Sequence, residues 1–224
     1  MIKLCIFDLD GTLINSLADL AGAMNHALEA VGFEGHPVES YRRMVGNGVS
    51  VLADRAAGGK DKLTPEKKER LLAEFSEYYT EHCLDNTKPY EGIAEMLSKL
   101  TAMGVRYAVN SNKPDAFSKK IVSALFPEHC FAEIWGKRDG CERKPAPDGV
   151  NGIMKLFGAE CSEVLYIGDS DVDAYTAKNA SVRFCGVSWG FRGVDELVSA
   201  GAEFVASSAE DIISYVKSAG GHDE

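Results

Sequence analysis

Short runs of β-branched and aromatic residues alternate along most of this chain with segments of helical spacing. The alternation is typical of a parallel β-sheet with helical connections, because parallel neighbours need a long crossover between them. Five strands are predicted, with a weaker sixth at residues 203–206; in chain order the five are residues 3–7, 105–110, 131–135, 163–168 and 183–187. The sequence therefore predicts an α/β fold with a parallel sheet core flanked by helices.

One long segment interrupts this alternation. Residues 14–86 show helical spacing, for example at Leu17, Leu20, Met24 and Leu28, and carry no strand signal. Further helices are predicted at residues 41–57, where glycines interrupt the pattern, and at residues 66–83. We therefore predict an inserted all-helical domain at residues 14–86, and a core domain made of residues 1–13 and 87–224.

The charge balance bears on possible partners. The chain has 34 acidic and 24 basic residues and a formal net charge of −10, so its long-range field repels phosphodiester backbones and anionic membrane surfaces. The six cysteines form no C-x-x-C pair, and no uninterrupted apolar run suits a signal peptide or a membrane span. We expect a cytoplasmic protein that binds neither nucleic acid nor membrane.

Polar side chains are predicted at the carboxyl ends of four strands, where open parallel sheets bind their ligands. They are Asp8 and Asp10 after the first strand, Ser111 and Asn112 after the second, Lys144 beyond the third, and Asp169 and Asp173 after the fourth. Mg²⁺ prefers oxygen ligands and is usually bound by one or two carboxylates together with a substrate phosphate. Asp8 and Asp169 would supply these carboxylates, and Ser111 and Lys144 would hold the phosphoryl oxygens.

Four short motifs carry a resemblance to a known family. They are "DLDGT" at residues 8–12, "SN" at 111–112, "KP" at 144–145 and "GDSDVD" at 168–173. In order and spacing they resemble the motifs of the haloacid dehalogenase-like phosphatase superfamily, whose core is Rossmann-like, and the helical insertion is similar to that superfamily's helical cap domain. The segments "YRRMVGNGVSVL", "SNKP" and "GVSWGF" are similar to the phosphoglycolate phosphatase group within it.

The resemblance implies a catalytic role for the first motif. Asp8 would attack phosphorus and form an aspartyl-phosphate, and Asp10 would protonate the leaving oxygen and then activate the hydrolytic water. Ser111 and Lys144 would hold the phosphoryl group during both steps.

The same resemblance implies a metal site. Asp8, the main-chain carbonyl of Asp10 and Asp169 would bind Mg²⁺, and Asp173 would complete this metal site and orient its ligands. Asp171, in the first turn of the following helix, is expected to be a surface residue that complements the helix dipole.

Recognition of the substrate is expected in the insertion. Arg42 or Arg43 is a candidate partner for a substrate carboxylate, and the loop of Gly46, Asn47 and Gly48 could bring bare backbone close to a small substrate. Asn112 is a further candidate for substrate binding. The expected partner is a small phosphorylated metabolite, and the chain is expected to be a monomer or a homodimer.

Other functions share these ingredients. A phosphomutase of the β-phosphoglucomutase type and a pyrophosphatase or nucleotidase would use the same core. A regulator that senses a phosphorylated metabolite without turning it over is a non-enzymatic alternative, which the intact pair of Asp8 and Asp10 disfavours. The resemblance implies a Mg²⁺-dependent phosphatase acting on a small, phosphoglycolate-like monoester, and the sequence leaves these alternatives open.

Overall fold

The computed structural model describes residues 1–219 of the chain. These residues form two compact units, one made of Met1–Ile14 together with the chain from Pro89 onward, and the other of Asn15–Lys88. The second unit overlaps the predicted insertion at residues 14–86.

The first unit is built on a six-stranded parallel sheet, and the predicted α/β fold is confirmed. Its strands are β1 (Leu4–Phe7), β4 (Arg106–Pro114), β5 (Glu133–Lys137), β6 (Val164–Gly168), β7 (Arg183–Val187) and β8 (Val205–Ala206). They lie in the order β5-β4-β1-β6-β7-β8. Strands β1 and β6 are fully buried, which explains why they read as continuous apolar runs rather than as an alternating pattern.

Helices cover both faces of this sheet. They are α4 (Ile93–Ala102), α5 (Asp115–Leu125), α6 (Asp148–Phe157), α7 (Asp171–Asn179), α8 (Val194–Ser199) and α9 (Ala209–Ser218). One face is packed by Val150 and Ile153 of α6 against Ile6 and Tyr166 of the central strands. Each such side chain contributes about 1.5–3 kcal/mol when fully buried, so this contact fixes the frame on which the strand ends are held.

Strand β4 is longer than predicted and carries residues 111–114 in an extended conformation. Its neighbour β5 begins and ends two residues later than predicted, and the pairing of the two strands shifts register between Asn110 and Pro114. Gly136 of β5 permits this pairing, because a Cβ there would lie 2.5 Å from the Asp115 Cα and 2.6 Å from the Lys113 carbonyl oxygen. The extension places Ser111, Asn112 and Lys113 on a strand rather than in a loop.

The second unit is mainly helical. It contains α1 (Leu17–Ala30), a 3-10 helix (Val38–Arg43), α2 (Val49–Ala56), a short 3-10 turn (Lys60–Lys62) and α3 (Pro65–His82). Buried Asp19 of α1 accepts hydrogen bonds from the main-chain and side-chain donors of Asn86 and Thr87, at 2.6 to 3.0 Å. A carboxylate in helix α1 thus fixes the segment that leads back to the first unit.

Two short strands were absent from the sequence prediction, which placed no strand between residues 7 and 105. Strand β2 (Ile14–Asn15) pairs with β3 (Lys88–Pro89) in a separate two-stranded sheet. Two-residue strands leave no periodic pattern in a sequence, which is why this pairing escaped the prediction.

The sequence "SAGGHDE" at residues 218–224 predicts a frayed C-terminal end. Helix α9 ends at Ser218, and residues 220–224, on which most of this prediction falls, lie outside the described residues. Within residues 1–219, no helix is both long enough and apolar enough to span a membrane.

Candidate active site

The sheet brings the predicted polar residues of β1, β4 and β6 to one edge. Phe7 at the end of β1 pairs with Val109 of β4 and with Ile167 of β6. Asp8 follows directly, and its main-chain N–H donates to the Ile167 carbonyl at 2.8 Å. Ser111 and Asp169 therefore lie only a residue or two beyond this register, at the carboxyl ends of the neighbouring strands.

Three carboxylates form a buried acidic cluster there. Asp8, Asp169 and Asp173 each contribute an oxygen that lies within 4.8 Å of the oxygens of the other two. Asp173 is completely buried, and Asp8 and Asp169 are 8% and 3% exposed. Three ionised carboxylates this close together repel one another strongly, so the cluster requires nearby positive charge.

Lys144 supplies part of that charge. Its Nζ lies 2.7 Å from an oxygen of Asp8 and 2.7 Å from an oxygen of Asp173, and only 4% of its side chain is exposed. Although burial opposes the charged form, the two carboxylates raise the pKa of Lys144 well above its usual value. The two carboxylates thus favour the charged form of Lys144 at the cluster.

Asn112 holds the loop that carries Lys144. Its amide oxygen accepts from the Lys144 N–H at 2.9 Å, and its amide nitrogen donates to the Lys144 carbonyl at 3.2 Å. Asn112 was predicted to bind substrate; these contacts give its side chain a positioning role, and a substrate contact stays a prediction.

Asp169 is held against two glycines. Its Oδ2 accepts from the Phe191 N–H at 2.6 Å. A Cβ at Gly11 would lie 2.4 Å from that oxygen, and a Cβ at Gly190 would lie 2.2 Å from the Asp169 Cβ. Only glycine at these two positions leaves room for the Asp169 carboxylate in this place.

Asp173 connects the cluster to helix α7. One oxygen of Asp173 accepts from Lys144 Nζ and, at 3.4 Å, from the Tyr166 hydroxyl. The other oxygen accepts from the Ser170 N–H at 3.1 Å and from the Ser170 hydroxyl at 2.6 Å. These contacts form a capping box at the start of α7. Asp173 thus orients Lys144 while it fixes the helix that follows Asp169.

Asp171 lies outside the cluster, and its carboxylate accepts locally from the Val172 N–H.

The acidic cluster suits a divalent cation. Burial raises the pKa of Asp8 to about 7 and that of Asp169 well above its usual value, and repulsion between the carboxylates adds to both shifts. A cation bound by oxygens of Asp8 and Asp169 would offset this burial and keep both groups ionised. The cluster's donor set, all oxygen and anionic, suits Mg²⁺, and the predicted metal ligands stay a prediction.

A residue that the sequence prediction missed lies beside the second aspartate. Lys113 Nζ is 2.9 Å from both carboxylate oxygens of Asp10, and only 3% of the Lys113 side chain is exposed. Ser111, two residues earlier on β4, accepts from the Lys113 N–H at 3.3 Å. The alternation of side chains along a strand, which places residues 111 and 113 on one side, could have identified Lys113.

The remaining predicted substrate contacts lie in the second unit. Arg43 ends the 3-10 helix and is exposed, and Gly46 and Gly48 have φ values of 106° and 83° before helix α2 begins. These positive φ values give both glycines a conformational reason to be present. Asn47, between them, is partly exposed. The substrate contacts of Arg43 and of this loop stay predictions.

Comparisons with known proteins agree with this geometry. The haloacid dehalogenase-like hydrolase family matches residues 5–187. A phosphoglycolate phosphatase from Vibrio parahaemolyticus is 32% identical over 219 residues, with 96% of each chain covered. The crystal structure of a predicted phosphoglycolate phosphatase from Haemophilus somnus matches with a TM-score of 0.89 at 30% identity, covering 96% of this chain and 97% of the other.

A crystal structure from Lactobacillus delbrueckii subsp. bulgaricus is equally similar in fold, with a TM-score of 0.89 at 35% identity, and covers 96% of this chain and 98% of that one. The family match spans more than half of the chain and includes all four motifs, and both the curated relative and the solved structures match it nearly end to end. The resemblance predicted from the four motifs is confirmed, and the chain belongs to the haloacid dehalogenase-like hydrolase family.

Proposed function

We propose that this chain is a Mg²⁺-dependent phosphatase that hydrolyses a small, phosphoglycolate-like phosphate monoester through an aspartyl-phosphate on Asp8. The observation that carries the proposal is the position of Asp8 at the carboxyl end of a central strand, 2.7 Å from Lys144 and within the carboxylate cluster. A nucleophile so placed has a fixed cation next to the position that phosphoryl oxygens would occupy.

In the first step, a carboxylate oxygen of Asp8 attacks phosphorus, and the ester oxygen departs with a proton from Asp10. Lys144, and the hydroxyl of Ser111 on β4, hold the phosphoryl oxygens during this transfer. In the second step, Asp10 takes a proton from water, the water attacks the phosphorus, and the Asp8 carboxylate is released. Fixed cations and hydrogen-bond donors of this kind stabilise the charge that develops on the phosphoryl group.

The acidic cluster would hold Mg²⁺ through Asp8, Asp169 and the main-chain carbonyl of Asp10. When bound, the ion would neutralise charge on the phosphoryl oxygens and on the nucleophile. Asp173 would take part indirectly, because its oxygens already accept from Lys144 and Ser170.

The proposed substrate class comes from the relatives. Proteins that match this chain from Vibrio parahaemolyticus and Pseudomonas fluorescens are phosphoglycolate phosphatases, at 32% and 37% identity.

We propose a reaction in the cytoplasm, where the free thiols of the chain would stay reduced. We also propose that the unit of residues 15–88 serves as a cap that selects the substrate, and that the active species is a monomer or a homodimer.

A phosphate-release screen tests the proposal. The purified chain is assayed with phosphoglycolate, sugar phosphates, nucleotides and pyrophosphate, each with and without Mg²⁺. We expect Mg²⁺-dependent release that is fastest with phosphoglycolate or another small carboxylated monoester. Three outcomes would replace the proposed function. A preference for pyrophosphate or nucleotides would indicate a pyrophosphatase or nucleotidase, and isomerisation of a sugar phosphate without phosphate release would indicate a phosphomutase. Binding without turnover would indicate a regulator.

A further inference from the structure

The proposed reaction uses Asp10 but assigns no role to Lys113, the residue with which Asp10 forms an ion pair. Lys113 Nζ lies 2.9 Å from both oxygens of Asp10, in a side chain that is almost fully buried. A buried ammonium is costly unless it is paired, and Asp10 provides that pairing.

The strand geometry directs Lys113 to the reaction site. Ser111 and Lys113 share one side of β4, whereas Asn112 points to the other side and binds the main chain of Lys144. The side of β4 that carries the hydroxyl of Ser111 therefore also carries a second lysine, separate from Lys144.

The role of Asp10 locates Lys113 relative to the substrate. Because Asp10 protonates the ester oxygen, the organic part of the substrate attached to that oxygen must lie next to the Asp10 carboxylate. Lys113, in contact with both oxygens of that carboxylate, is then within reach of a group attached one carbon beyond the ester oxygen. An anionic group there can accept from Lys113 in place of Asp10.

We propose that Lys113 is the specificity-determining residue for the leaving group, and that it binds a carboxylate carried on the carbon next to the ester oxygen. This inference rests on the proposed function, because it uses Asp10 as the acid for the ester oxygen. Binding of the substrate carboxylate exchanges one anionic partner of Lys113 for another and releases Asp10 toward the ester oxygen. The substrate class is therefore a small alkyl phosphate with an α-carboxylate.

The site is acidic, so a preference for a carboxylated ligand would indicate a cation that receives the carboxylate. Asp8, Asp169 and Asp173 form the acidic cluster and Asp10 lies against Lys113, so a ligand with an additional negative charge is repelled unless a cation receives it. A charge-assisted hydrogen bond from Lys113 favours the carboxylated ligand by about tenfold or more.

Binding of two matched, non-hydrolysable phosphonates tests the proposal without turnover. Titration calorimetry with Mg²⁺ present compares 3-phosphonopropionate with propylphosphonate, which differ only in a carboxylate replaced by a methyl group. We expect the wild-type chain to bind the carboxylated ligand about tenfold or more tightly, and Lys113→Met to reduce the difference to about twofold. Equal affinities in the wild-type chain would overturn the proposal, even if the variant did not fold.

Hydrolysis of phosphoglycolate and ethyl phosphate provides the second readout. The ratio of the two kcat/KM values should fall about tenfold in Lys113→Met, whereas a purely structural defect lowers both values together and leaves their ratio unchanged. Lys155→Met, at an exposed position on α6, is the matched control and should keep the wild-type ratio. An unchanged ratio in Lys113→Met would refute the role of Lys113.

The two readouts separate this inference from the proposed function. A chain that hydrolyses neither ester, yet binds 3-phosphonopropionate in a Lys113-dependent manner, keeps the carboxylate site at Lys113 and loses the phosphatase, and with it the role of Lys113 in leaving-group selection. A chain that hydrolyses both esters equally well keeps the phosphatase and loses the inference.

Discussion

Replacement of Gly190 by alanine should damage the metal site, although Gly190 itself supplies none of the proposed ligands. The new Cβ would lie 2.2 Å from the Asp169 Cβ, 2.5 Å from Asp169 Oδ2 and 2.5 Å from the Gly11 carbonyl oxygen. Ordinary contacts of a Cβ begin near 3.4 Å, so Asp169 or the Gly190 loop must move by about 1 Å. Asp169 cannot move freely, because its carboxylate accepts from the Phe191 N–H.

The size of the effect follows from this displacement. A shift of about 1 Å in a catalytic group can lower the rate about 100-fold, and overpacking a buried position costs about 1–3 kcal/mol of stability. We therefore expect Gly190→Ala to lower kcat by about 100-fold and to raise the Mg²⁺ concentration needed for half-maximal activity. Phosphate release is measured against Mg²⁺ concentration, and urea unfolding shows that the variant is folded.

Gly193→Ala is the matched control for this experiment. Gly193 lies three residues away, is exposed and has φ of −85°. Among the described residues, apart from its chain neighbours, no heavy atom lies within 4 Å of the place that a Cβ at Gly193 would occupy. The control should keep near wild-type kcat and Mg²⁺ dependence. Wild-type behaviour of folded Gly190→Ala would refute the argument that Gly190 makes room for Asp169.

Three further predictions follow from the described contacts. Asp169→Ala should raise the Mg²⁺ concentration for half-maximal activity by at least about tenfold, whereas Asp171→Ala, which removes a local contact, should leave it unchanged; equal shifts would remove Asp169 from the metal site. Asp19→Ala should lower the free energy of unfolding by about 3 kcal/mol, because the buried donors of Thr87 and the partly buried donors of Asn86 lose their acceptor, and the exposed Asp61→Ala should change it by less than about 0.5 kcal/mol in the same urea titration. In metal-free protein, Asp8 with a pKa of about 7 keeps a proton that the unfolded chain has released, so stability should fall as the pH rises from about 4 to about 7; a slope in Asp8→Asn as steep as in the wild-type chain would contradict this.

The sheet and its polar edge were predictable because their signals are local. Apolar runs such as residues 4–7 and 164–168 are buried on both faces, and acidic residues directly after them have few reasons to be there other than a ligand. The order of the motifs then related Asp8 to Asp169 although 160 positions of sequence lie between them.

Other features of the site depend on contacts that no local pattern records. The ion pair between Lys113 and Asp10 joins residues 103 positions apart; strand alternation places Lys113 on the side of Ser111, but no local pattern identifies Asp10 as its partner. The hydrogen bonds of Asn112 to the Lys144 main chain likewise become visible only when β4 and the loop that follows β5 are placed in space. Strand β2 is two residues long and carries no periodicity.

Direct detection of the phosphorylated aspartate tests the central claim most sharply. The chain is mixed with phosphoglycolate and Mg²⁺, quenched in acid within milliseconds, digested, and analysed by mass spectrometry. The account predicts one phosphoryl group on the peptide that carries Asp8, labile to hydroxylamine and absent from folded Asp8→Asn. Turnover with no phosphorylated peptide at any quench time, or a phosphorylated peptide that persists in Asp8→Asn, would contradict the assignment of Asp8 as the nucleophile.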